Sequence, residues 1–137
     1  MKRMFTLLLG LMLICSIAVA SPVDDLLSKY QDMRLGCEAG INRLDYSRNY
    51  RELYVATRKQ ENTIDKETYD KFYGVLMYYK DINSVWNCNT ISDTYKVKME
   101  SKIINSVFIS GFDSGIPMMI RDANRKEKDL EKSLPQE

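Results

Sequence analysis

Tyr46, Tyr50 and Tyr54 recur at a strict four-residue spacing, accompanied by Arg43, Arg48, Arg51 and Arg58. On a helix that spacing stacks the three rings one turn above another. Tyrosine and arginine anchor protein interfaces because each joins a large contact area to a polar handle. Tyr46, Tyr50 and Tyr54, with Arg43 and Arg51, are therefore the candidate binding residues. The competing structural reading is a half-buried stripe whose hydroxyls reach water. Single-stranded nucleic acid also stacks on such surfaces, but a chain with 20 basic and 19 acidic residues has no broad electrostatic reason to bind it.

Other chemistry is thinly represented. The chain has no histidine, which excludes Ser-His-Asp and Cys-His catalysis and His-ligated zinc. Glu38, Glu52, Glu61 and Glu67 have the functional groups a glycoside hydrolase needs, an acid and a base. No pair among them is singled out by spacing, and carboxylates scattered among lysines and arginines are ordinarily a solvated surface, so no catalytic residue is assigned. Met118 and Met119 are soft donors for Cu(I), yet two adjacent methionines without a further cluster read as core or interface filler. No cofactor and no metal site is expected.

The N-terminus points to export. Lys2 and Arg3 precede an apolar stretch from Phe5 to Cys15, interrupted by Thr6 and Gly10, and Ala18-Val19-Ala20 precedes Ser21-Pro22. This is the pattern of a signal peptide cleaved after Ala20, too short in its apolar part for a spanning anchor. Cleavage leaves 18 basic against 19 acidic residues and removes Cys15, so only Cys37 and Cys88 remain. In an oxidising compartment an even pair reads as one disulfide, worth roughly 4 kcal/mol by chain entropy at this separation. No Cys-x-x-Cys supports a redox role.

These groups need helices to position them. With only Pro22, Pro117 and Pro135 beyond the leader, and apolar residues at spacings of three and four, the expected class is all-α: a small bundle of three to five helices with one disulfide, Cys37–Cys88. A first segment opens near Pro22 and carries Leu27, Tyr30, Arg34, Cys37, Ile41 and Leu44 on one face. It continues toward Arg58, with a break expected at Asp45–Asn49. Residues 59–64 read as a connection, and Thr63 or Asp65 as the next N-cap. The second segment steps through Tyr69, Phe72, Leu76, Tyr79, Asn83 and Trp86, with Val75, Tyr78, Ile82 and Val85 beside them, and ends near Cys88. Thr90 to Asp93 resembles a capping box for a third segment through Tyr95, Met99, Ile103, Ile104, Val107, Phe108 and Phe112. A kink or end is expected between Gly111 and Pro117, followed by a short last helix from Met118. The resulting organisation is a signal peptide over 1–20, a helical domain over 21–120, and a charged helix end and solvated tail over 121–137.

Gly36 and Gly40, and Gly111 and Gly115, each lie one helical turn apart, a spacing that lets two backbones approach closely. Helix packing, within the chain or against a second copy, is the first reading, and a ligand groove floored by these glycines the second. Nothing beyond the leader is apolar enough for stable membrane insertion.

No motif singles out one family. The general build, a small exported helical domain with one disulfide, resembles several unrelated groups: periplasmic immunity proteins, phage-encoded lysis or superinfection regulators, secretion-system pilot proteins and small periplasmic chaperones. The expected function is a non-enzymatic protein-binding factor of inhibitor or immunity type in the bacterial periplasm, with secretion as the variant. A chaperone, pilot or assembly role, using Met118-Met119 and the charged end from Arg121, is the alternative, and a cell-wall hydrolase ranks third. The absence of an Asn-x-Ser/Thr sequon is compatible with a bacterial origin. The partner is a protein of unspecified identity, and a homodimer is compatible with the glycine pattern.

Overall fold

A computed structural model describes residues 20–87 and 112–135, and every regular element among them is a helix. The four are α1 (Pro22–Glu38), α2 (Arg43–Lys59), α3 (Lys66–Trp86) and α4 (Phe112–Ser133).

Local chemistry sets their ends. Ser21 caps α1 in a reciprocal capping box with Asp24, and Pro22 follows in the first turn, where its missing N–H costs nothing. Asn42 caps α2 by accepting from the backbone N–H groups of Leu44 and Asp45. Of the two caps the sequence leaves open, Thr63 and Asp65, it is Asp65 that caps α3 through Thr68 N–H, and that bond holds its carboxyl below the ordinary aspartate range.

The break in the first segment falls earlier than expected, at residues 39–42 rather than at Asp45–Asn49. Gly40 is the reason. It adopts a φ of +88°, a conformation that L side chains rarely tolerate, and Asn42 restarts the helix two residues later.

Each helix runs antiparallel to the one before it. Tyr30 on α1 meets Thr57 on α2, Ser47 on α2 meets Asn83 on α3, and on α4 Lys128 meets Glu38 while Glu131 meets Gln31. The contacting pairs are α1–α2, α2–α3, α3–α4 and α4–α1, which describes an up-down-up-down bundle with its core between all four. Leu26, Tyr30, Met33, Tyr46, Leu53, Phe72, Leu76, Tyr79, Ile82, Met119, Ala123 and Leu130 fill that core. The Tyr30 hydroxyl lies 2.9 Å from Thr57 Oγ1 and 2.8 Å from the Phe72 carbonyl, joining three helices at one point.

The C-terminal region is not a solvated tail. α4 runs through the expected boundary at 120, with Pro117 inside it, and buries Ala123, Asn124, Glu127 and Leu130, with Leu134 packing beyond its end. Most of the charged residues that suggested solvation lie on its outer side, while a buried position recurs every three or four residues beneath them, at Ile116, Met119, Ala123, Glu127, Leu130 and Leu134, with Glu127 the one charge on that face. A proline in the second turn loses only one backbone bond, so the helix passes through it. The expected signal peptide, Cys88, Gly111 and the segment of Tyr95 to Phe108 lie outside the described residues.

Candidate functional site

The tyrosine stripe divides. Tyr46 is fully buried, its hydroxyl donating to the Tyr79 carbonyl at 3.0 Å and its ring 5.4 Å from that of Trp86. It is a core residue and cannot meet a partner, which corrects its place among the candidate binding residues. Tyr50 is half-buried, and burial first, then the neighbouring Tyr54 and Tyr73, pushes its hydroxyl up to about 12. Tyr54 is exposed, 6.3 Å from Tyr50 between ring centres. A spacing of exactly four causes this division, because 400° of rotation per step carries each successive ring 40° further round the helix.

Arg43 and Arg51 are exposed on α2. So are Leu44 at 74 %, Val55 at 50 % and Tyr54 at 42 %; with Leu35 on α1 these are the exposed large apolar side chains of the described residues. Leu44, Arg48, Arg51 and Val55 step by four, three and four along the outer face of α2; Leu44 is not on the face of Tyr30 and Cys37 as its spacing suggested, because the break at Gly40 resets the helical register between them.

Beside this face an open cleft of about 800 Å³ runs between α1 and α2. Asp25, Lys29 and Asp32 line one wall, and Arg51, Glu52 and Lys59 the other. Among the described residues none of the six forms an ion pair: those present lie within helices, next to a helix end, or between α1 and α4. Of the four glutamates with hydrolase chemistry, Glu38, Glu61 and Glu67 are held by lysine or arginine, and only Glu52 faces the cleft.

The glycines separate in the same way. A Cβ at Gly36 would meet Ile41 Cδ1 at 3.5 Å and Asn49 Nδ2 at 3.8 Å, so this residue does sit against α2. A Cβ at Gly40 would meet nothing within 4 Å, and Gly40 is a turn residue rather than a packing one. Gly115 is buried in α4.

Cys37 is a buried thiol at the end of α1, and burial pushes it up to about 12. Close by, Arg34 forms an ion pair with the fully buried Glu127 and a second, at 3.3 Å, with Glu38. Burial lifts the Glu127 carboxyl above its ordinary range while Arg34 pulls it back. For Arg34, burial works against the charge, but Glu127 and Glu38 outweigh it and raise its pKa.

No family model matches the chain, and the comparisons with curated proteins and solved structures found no match. Among the described residues no group of three acidic, cysteine or histidine side chains is placed to hold a metal ion, and no helix is long and apolar enough to cross a membrane.

Proposed function

We propose that this chain is an exported, non-enzymatic protein-binding factor of inhibitor or immunity type, acting in the bacterial periplasm once residues 1–20 are removed. One observation carries the reading: Leu44, Tyr54 and Val55 are exposed among the arginines of α2, beside a cleft whose six charged residues form no ion pair among the described residues. Apolar side chains interleaved with arginine supply contact area, and unpaired charges of both signs select a partner with the complementary pattern. The partner is a protein surface with exposed apolar groups and mixed charge. The chaperone alternative relied on Met118-Met119 and a solvated end, but Met119 is buried and α4 is part of the bundle.

The Cys37–Cys88 disulfide belongs to the same proposal. Asn87, one residue before Cys88, donates to Ser47 Oγ at 3.0 Å near the start of α2, the end of that helix that follows Cys37 in the chain. This contact supports a pairing between Cys37 and the chain that follows α3.

The test is affinity capture by the oxidised protein from envelope extract, followed by titration of the purified partner. Tyr54→Ala and Arg51→Glu should each weaken binding about tenfold or more with unchanged melting temperatures, and stoichiometric addition should suppress the partner's activity. Retention of full affinity by both variants would remove the α2 face from the proposal. A captured species identical to the chain itself, seen as a dimer in sedimentation equilibrium, would replace the inhibitor with a homodimer.

A further inference from the structure

A second cleft, of about 360 Å³, lies between α1 and α4, away from the α2 face. Cys37, Pro117 and Ile120 give it an apolar lining, and Arg121, Arg125 and Lys128 give it cations. Glu38 also reaches it, held by Lys128 at 3.0 Å and by Arg34. Arg125 is engaged by Asp122, whereas Arg121 has no ion pair among the described residues.

Asn124 is the unexplained part of this cleft. It lines the wall, is only 8 % exposed, and its side-chain oxygen is buried without a hydrogen-bond donor among the described residues. An orphaned buried acceptor is a cost to the folded chain, and a hydrocarbon side chain here would avoid it. A ligand that brings an N–H would satisfy it.

We infer that this cleft binds the carboxyl-terminal residue of a peptide: a carboxylate, the adjoining amide N–H and an apolar side chain. The carboxylate pairs with Arg121 and its neighbouring cations, the N–H donates to Asn124 Oδ1, and the side chain rests on Pro117, Ile120 and Cys37. The volume lies near the lower bound of ordinary ligand pockets, roughly 300 Å³, which suits one residue rather than a long segment. A free phosphate fits less well. Its second negative charge would face Glu38, and it would leave the apolar lining unused.

The test titrates the purified protein with N-acetyl-leucine, N-acetyl-leucinamide and inorganic phosphate, following amide shifts by NMR. N-acetyl-leucine should bind and shift Ile120 and Asn124, with the carboxylate-free leucinamide at least tenfold weaker and phosphate producing no shift at Asn124. Asn124→Leu should weaken binding at least tenfold while the melting temperature stays the same or rises, since an orphaned amide is removed. Arg121→Glu should weaken binding similarly. Equal binding of the leucinamide, or phosphate shifts matching those of N-acetyl-leucine, would reduce the cleft to a basic surface and overturn the inference. So would full affinity in Arg121→Glu, or an Asn124→Leu variant that melts several degrees lower, which would make Asn124 a structural residue.

Discussion

At the residue scale, identical side chains have different duties according to which way they point. Tyr46 and Tyr54 are separated by only two helical turns, yet one holds the core together and the other meets solvent. Tyr46→Phe should therefore cost about 1 kcal/mol, the net worth of its hydrogen bond to Tyr79, in denaturant unfolding. Tyr54→Ala should leave the unfolding midpoint unchanged. The glycines allow a similar contrast. Gly40→Ala should destabilise by about 1–2 kcal/mol through its positive φ, although no neighbour crowds it. Gly36→Ala, in an ordinary helical conformation with room for a methyl group, should be neutral or gain up to about 1 kcal/mol in helix propensity. Equal effects at the two glycines would contradict this assignment.

At the element scale, α4 is the helix whose position depends on a charge. The buried Glu127 carboxylate meets Arg34 across the α1–α4 contact, and removing it leaves a guanidinium with only the more exposed Glu38. Breaking a buried pair ordinarily costs about 3–5 kcal/mol. With Glu38 as a remaining partner, Glu127→Ala should cost about 2–3 kcal/mol and lower the melting temperature by roughly 10 °C. The pH dependence has a definite sign. A carboxyl raised in the folded state contributes fully below its unfolded pKa, and that contribution is lost as pH rises through the folded value. The stability of the native protein relative to Glu127→Gln should thus decline from pH 4 toward neutrality. A difference that grows with pH would mean that Arg34 dominates over burial. Glu38, lowered chiefly by its bond to Lys128, works in the opposite direction, and its contribution is lost on acidification.

At the scale of the whole molecule, the proposed disulfide would bind the end of α1 to the chain leaving α3. Thiol titration of the unreduced, leader-free protein in denaturant should find no free thiol. Reduction and Cys37→Ser should lower the melting temperature by similar amounts. An unchanged midpoint in both would leave Cys37 as a buried core thiol and nothing more. The arrangement also leaves the two clefts on different sides of α1, so charge changes at Arg51 and at Arg121 should act independently on their respective ligands.

The helical class, a cap at Thr63 or Asp65 and the apolar stripe of α3 were legible in the linear chain, because helix periodicity and capping are local properties. The bend at Gly40 was misplaced because a glycine in a helical pattern looks the same whether it packs or turns, and only its backbone conformation separates the two. The candidate site was half legible. Arg43, Arg51 and Tyr54, named as binding candidates from spacing, are exposed on α2, but the burial of Tyr46 and the exposure of Leu44 and Val55 depend on which side of α2 faces α1 and α3. The role of α4 was misread for a related reason. Its charges dominate the composition, while Glu127 and Arg34 lie 93 positions apart in sequence and meet only when the fourth helix closes against the first. Composition and spacing determine that this chain forms helices; which faces remain available for binding is decided by packing, because burial is a property of neighbours that are remote in sequence.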